Sequence, residues 1–235
     1  MTAGFASVAG STLVGYALLG APLPFLLAAT VMNAPGALYM AKMMFPETEE
    51  PESESGVRDV RDTESANVID ATARGAISGG RIAVIVGCLL IAFISLIALA
   101  NGLLSGVGEW FGYDGLTFQK VLGWAFAPVA WLMGVPWDEA AEAGTFIGEK
   151  TVLNEFVAYS DFGPKVKSLS DQTLVVVTFA LAGFANFSSI AIQIGAIGGL
   201  EPERRGEVAR FGLKALLAGS LVNFANAAIA GIVAT

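Results

Sequence analysis

The sequence predicts an all-α integral membrane protein with about five membrane-spanning helices, one re-entrant hairpin and broken helices. Three observations carry this. Of 235 residues, 54% are hydrophobic and only 14% are charged, and the mean hydropathy is +0.65; a soluble domain is roughly 25% charged. Several uncharged stretches approach the about 20 residues that a spanning helix needs. Polar and ionisable residues also interrupt later stretches at membrane depth, where a charge costs at least about 2.5–3.5 kcal/mol at a helix centre.

The elements follow in order. Phe5–Pro24 is uncharged and rich in Gly, Ala and Ser, and Phe25–Phe45 is apolar with Asn33, Pro35 and Gly36 in its middle. They make residues 1–45 a pair of N-terminal membrane helices. The Pro/Ser/Glu-rich run that follows lacks apolar periodicity and predicts a solvated loop over 46–66. Small residues in Ala66–Arg81 and the uncharged run Ile82–Val107 predict one long, tilted membrane helix over 67–109. Val121–Val135 is too short to cross. All four tryptophans (Trp110, Trp124, Trp131 and Trp137) fall around it, and Trp prefers the headgroup level. Residues 110–163 are therefore expected to form an interfacial and re-entrant hairpin segment, because polar backbone at membrane depth survives only inside protein or a wet cavity. Leu174–Leu200, uncharged but polar at its centre, and Leu213–Val233 place a broken helix and a last membrane helix in 172–235.

Alternating spans put Lys42, Arg58, Arg61, Arg74, Arg81, Arg204, Arg205, Arg210 and Lys214 on one side, with Lys120, Lys150, Lys165 and Lys167 on the other. The positive-inside rule makes the first side cytoplasmic, so the hairpin enters from outside. No basic region precedes a short apolar core, and no signal peptide is expected. The lone Cys88 cannot form an intrachain disulfide. With no histidine, no Gly-x-Ser-x-Gly elbow and no paired membrane aspartates, an intramembrane hydrolase is excluded and no catalytic residue is expected.

Two interrupted elements carry the candidate chemistry. In Gly148–Tyr159, Glu155 can accept several hydrogen bonds while the adjacent Asn154 amide both donates and accepts. This combination suits the two hydroxyls of a vicinal diol. The competing reading closes the hairpin with an internal Glu155–Lys150 pair, and Glu149 is expected to pair with Lys150. In Gly183–Ile190, Asn186 and Ser189 are spaced to share one helical face, and Gly183, Gly195, Gly198 and Gly199 favour unwinding. Discontinuous helices at the midplane are how secondary transporters expose polar groups to solutes. Ser188, Asn33, Asn101, Asn223 and Asn226 read instead as interhelical glue, each asparagine standing alone. Spacing supports a polar solute site and does not name the solute.

Asn154-Glu-Phe-Val-Ala-Tyr159, with Gly148-x-Lys-Thr151 before it, resembles the second re-entrant hairpin of concentrative nucleoside transporters. Gly183-Phe-Ala-Asn-Phe-Ser-Ser-Ile-Ala-Ile192 and the Pro202-x-Arg-Arg205 turn resemble the break and turn that follow it in that family. Met1–Tyr16, Pro46-Glu-Thr48 and Ala66–Asp70 extend the likeness along the chain, most closely toward bacterial sodium-coupled members. The resemblance implies the C-terminal part of an inverted-repeat transporter that moves by an elevator mechanism. It implies nucleoside symport coupled to a cation, sodium in the bacterial members, across the inner membrane. It also implies a homotrimer when full length, with nucleoside and membrane lipid as partners and no nucleic acid. No cofactor is implied beyond the coupling ion.

By the same resemblance, Glu155 would hold the ribose hydroxyls with Asn186 and Ser189, beside Asn154. Phe184 would wall the pocket, Ile82 would offer an apolar contact, and Thr12 would lie near the base. Ser7 and the Val8 carbonyl would give part of a sodium site in an unwound helix. Full-length members begin with scaffold helices and a first hairpin bearing Gly-Gln-Thr-Glu, which does not occur here. The chain is thus expected to supply the ribose half of the site; the alternative is a truncated or non-transporting membrane subunit.

Overall fold

The computed structural model describes residues 1–46, 48, 65–113, 115–200 and 202–234; within α4 and over residues 195–200, some helical residues are described by backbone alone. Among the described residues there are ten α-helices and no strand. The 46–66 loop lies almost wholly outside the described residues.

The first predicted span is two helices, α1 (Thr2–Ala6) and α2 (Gly10–Leu18). Ser7 and Ala9 adopt extended backbone between them. Helix α3 (Leu23–Met44) is continuous despite Pro35 in its interior, and its 22 residues reach about 33 Å, enough for the hydrocarbon core. It ends at Phe45, whose ring meets Phe211 of the last helix edge-to-face at 5.1 Å. The end of α3 and the start of the last helix therefore share one side.

Helix α4 (Val68–Trp110) runs for 43 residues, about 65 Å. Asn67 caps it by accepting from the Asp70 N–H, while the Asp70 carboxylate accepts from the Ala66 N–H. This pair of bonds, a capping-box variant whose return bond reaches the residue before the cap, gives Ala66-Asn-Val-Ile-Asp70 its physical meaning.

Helices α5 (Phe118–Leu132) and α6 (Trp137–Val152) form an antiparallel pair. A Cβ on Gly144 would lie 2.6 Å from the Gly123 carbonyl oxygen, and one on Gly123 would lie 2.6 Å from the Ala141 carbonyl oxygen. These backbones meet because both positions lack side chains. The chain breaks again at Leu153–Asn154 before α7 (Glu155–Phe162), so α6 and α7 are the arms of the predicted hairpin. All four tryptophans are exposed, as residues of a headgroup belt are.

The fourth predicted span is also interrupted. Helix α8 (Asp171–Leu181) ends at Ala182, and α9 (Phe187–Leu200) starts five residues later. Unwinding is confined to this stretch, and Gly195, Gly198 and Gly199 stay helical. A 3₁₀ turn at Pro202–Arg204 leads into α10 (Arg205–Ala234). Among the described residues α3 and α10 are long and apolar enough to cross a membrane unaided. The main core gathers around Tyr16, Phe146, Tyr159, Phe162 and α8.

Candidate functional site

Breaking a helix frees backbone carbonyls that must find donors or remain costly. Here the breaks in α1/α2 and α8/α9 lie back to back, and asparagines serve both. Asn223 of α10 donates to the carbonyl oxygens of Ala6 (2.9 Å) and Ala182 (3.1 Å) and toward the Asn33 side-chain oxygen (3.3 Å). Asn33 donates to the Ala182 carbonyl at 2.8 Å, and Asn226 donates to the Asn33 side-chain oxygen at 2.8 Å. Lys150 joins from the hairpin, donating to the Ala180 carbonyl at 2.6 Å and to Asn223 Oδ1 at 2.8 Å. Gly183 lies so close that an added Cβ would strike the Asn223 side chain and stand 2.6 Å from the Ala6 carbonyl oxygen. Three asparagines predicted to stand alone thus form one ladder. They are still glue, and they bind the freed backbone carbonyls as well as one another. Asn101 is glue too, accepting from the Phe118 N–H at 2.7 Å.

Above this ladder, Glu155 is the first residue of α7 and only 4% exposed. One carboxylate oxygen accepts from the Tyr16 hydroxyl at 3.1 Å and the other from Asn186 Nδ2 at 2.7 Å. Its position at a helix start adds a favourable field for negative charge. Asn154 accepts from the Val157 N–H at 3.0 Å and so caps α7. Asn186 does the same for α9, accepting from the Ser189 N–H at 2.9 Å and from the Ser188 hydroxyl at 2.7 Å. The predicted shared helical face of Asn186 and Ser189 is therefore corrected. Asn186 precedes the helix as its cap, and the two residues meet side chain to backbone.

The two pairings proposed for Lys150 are corrected as well. Its ammonium gives its hydrogen bonds to the freed carbonyl of Ala180 and to Asn223 rather than to Glu155 or Glu149. Glu149 is fully buried and neither of its carboxylate oxygens has a hydrogen-bond partner.

A cavity of about 240 Å³ opens over Glu155, lined by Thr12, Asn154, Phe184, Asn186 and Ser189 among others. The starts of α2, α7 and α9 all reach it, so three helix N-termini face one space. Ser7 and Val8 lie outside its lining, in the break between α1 and α2. Extended backbone there turns peptide carbonyls away from a helical ladder, which fits the oxygen-only chemistry of a hard cation in part. Ile82 lies within α4, with its side chain outside the described residues. Tyr16 was not singled out from the sequence; its place one turn after Thr12 on α2 was the available signal. It stacks on Tyr159 at 4.5 Å, which fixes its hydroxyl against Glu155.

Two helices broken at one level, with a hairpin tip between them, define an all-α membrane transporter fold. The chain belongs to the family described as "Na+ dependent nucleoside transporter C-terminus", whose profile matches residues 25–231. It is 53% identical over 233 residues to an uncharacterised transporter of Bacillus subtilis, covering 99% of this chain and 58% of the relative. It is 44% identical over 237 residues to the nucleoside permease NupC of Helicobacter pylori, covering 99% and 56%. The rat sodium/nucleoside cotransporter 1 is 37% identical over 249 residues, with 99% of this chain and 38% of that protein covered. Among solved structures, CNTnw in an inward-facing substrate-bound state superposes with a TM-score of 0.90 at 51% identity, over 98% of this chain and 55% of that one. The chain thus spans a little over half the length of the bacterial relatives it matches.

Proposed function

We propose that this chain supplies the ribose-holding half of a cation-coupled nucleoside symporter, with sodium as the coupling ion, in a bacterial inner membrane. The observation that carries the reading is the Glu155 carboxylate. It is buried at the meeting point of three helix starts, held by Tyr16 and Asn186, and next to a cavity. A carboxylate accepts through about four lone-pair sites, and two donors leave capacity for both hydroxyls of a vicinal diol. Asn186, Ser189 and Asn154 add polar contacts around the sugar, Phe184 gives a wall, and Thr12 stands nearer the base. Ile82 is assigned an apolar contact from α4 by family resemblance.

Ser7 and the Val8 carbonyl supply part of the cation site in the α1/α2 break. A cation there would hold the break in the shape that presents Thr12 to the cavity. Ion and solute would thereby raise each other's affinity through a shared coupling free energy. The relatives' names and the Lys/Arg asymmetry support this reading, as does the shared side of the α3 end and the α10 start. Residues 67–109 then form the tilted support helix, residues 110–163 enter from outside, and the complete protein assembles as a homotrimer.

The test is sodium-driven uptake of radiolabelled uridine into proteoliposomes holding a full-length version of the transporter, comparing wild type with Glu155→Gln. Loss of charge-assisted hydrogen bonds worth about 1.5–3 kcal/mol lowers apparent affinity roughly 10- to 150-fold. Uptake with unchanged affinity in the variant overturns the role of Glu155.

A further inference from the structure

Glu149 is a second buried carboxylate in the hairpin, with no place in the site above. It is 0% exposed, and both of its carboxylate oxygens lack a hydrogen-bond partner. An ionised carboxylate enclosed in this way is very costly. Atoms of this chain alone enclose it, so a solute in the Glu155 cavity does not reach it.

The surrounding groups are specific. Asp161 near the end of α7, Lys165 just beyond it and Gln119 at the start of α5 act on Glu149. The Lys165 ammonium is paired with Glu142 at 3.0 Å at the half-exposed mouth of the hairpin. Lys120 donates to the Gly115 carbonyl, and Lys150 to Ala180 and Asn223. Gln119 Oε1 accepts from Asn101 at 3.2 Å, which leaves its amide as a donor. Asp161 is exposed and lines both a cavity of about 480 Å³ with Gln119 and a polar recess of about 300 Å³ with Glu142, Thr145 and Lys165.

We propose that Glu149 holds one exchangeable proton between the two arms of the hairpin, directed toward the Asp161 carboxyl, at a proton-binding site separate from Glu155. A protonated carboxyl carries a hydroxyl donor and an ionised one only acceptors, so one proton joins α6 to α7 through a single hydrogen bond. Releasing it leaves a negative charge on Glu149 that is enclosed without water or a hydrogen-bond donor. Proton occupancy thus sets whether the arms that carry the Leu153–Asn154 tip are clasped or released. A metal ion fits less well, because hard cations seek six or more oxygen ligands and the Lys165 ammonium already supplies positive charge. The proposal does not depend on what Glu155 binds.

Infrared difference spectroscopy of the protein in lipid vesicles without nucleoside tests it. A protonated-carboxyl C=O band is expected at neutral pH, bleaching as pH rises with the slope of one proton, about tenfold in ratio per pH unit. Glu149→Gln, which keeps side-chain volume, removes the band. Asp161→Asn, which changes the acceptor on the exposed side, moves it. Exchanging sodium for potassium at constant pH leaves it unchanged. A band that persists in Glu149→Gln, or that stays in place in Asp161→Asn, overturns this proton site. A band titrated away by sodium alone shows a cation site instead and overturns the proposal.

Discussion

The asparagine ladder beneath the two breaks and the Glu155 cluster above them use the same kinds of residue at similar burial, yet they differ in what is left unspent. In the ladder, Asn33, Asn223, Asn226 and Lys150 direct their hydrogen bonds to one another and to the carbonyls of Ala6, Ala180 and Ala182. It faces packed protein. In the cluster, each Glu155 oxygen has one protein donor, Asn186 is shared with Ser188 and Ser189, and a cavity adjoins the remaining valence. Burial of polar groups marks both regions. Residual bonding capacity beside open space separates a site from its scaffold.

Substitutions sharpen the contrast. Lys150→Met should have the largest effect, because the Ala180 carbonyl and Asn223 Oδ1 both lose their donor. At about 1–3 kcal/mol for each buried unsatisfied group, stability falls by about 2–6 kcal/mol, read as a lower thermal midpoint in detergent. A melting temperature like that of the wild type would erase the distinction between the regions. Glu155→Gln should do the reverse, lowering nucleoside affinity as stated above and leaving the melt near wild type, since the amide can keep partners on both sides. Tyr16→Phe removes one donor to Glu155 and keeps the stacked ring. Calorimetric binding of nucleoside should weaken by about 0.5–1.5 kcal/mol.

The smallest effect belongs to the hairpin base. The Ser170 hydroxyl (2.7 Å) and backbone N–H (3.0 Å) both donate to the Glu139 carboxylate. Partial burial works against the charged form of Glu139, yet hydrogen bonding with Thr173 and Ser170 outweighs it and holds the carboxyl below its ordinary value of 4.5. The folded state then binds this proton less readily than the unfolded chain. Its stabilising contribution is complete above the ordinary value and is lost as pH falls from there through the lower folded-state value. Thermal midpoints measured down an acid series should drop less in Glu139→Gln than in wild type.

Much of this architecture is readable from composition and punctuation. The long α4, the short α5 with its tryptophans, and a hairpin carrying Glu155 all follow from run length, Trp placement and charge at membrane depth. The break after Ala182 follows from Gly183 and a polar centre. Sequence spacing could not show where side chains turn once a helix stops. Asn186 and Ser189 look like face-mates only if the helix already includes Asn186, whereas Asn186 is the cap that starts it. Lys150 sits between two acids in sequence and bonds with neither, because freed carbonyls 30 residues away in sequence compete for its protons. The asparagines looked solitary because Asn33 and Asn223 meet on peptide oxygens, which carry no letter in a sequence, and on each other across some 190 residues. Glu149 could not be told from a paired acid without knowing that Lys150 gives its hydrogen bonds to Ala180 and Asn223.

The seam between Gly123 and Gly144 has a mechanical consequence. With backbone against backbone at Gly144 and the Thr145 hydroxyl wedged against Gly123, α5 and α6 cannot slide past each other without collision, so they behave as one stiff beam. The second arm, α7, is joined to that beam by the two residues Leu153 and Asn154 and is followed at its far end by the Gly163–Lys165 turn. Any displacement of the tip is therefore carried either by the whole beam at once or by a pivot at those two residues. A bulkier residue at Gly144 would move every atom from Trp137 to the tip together.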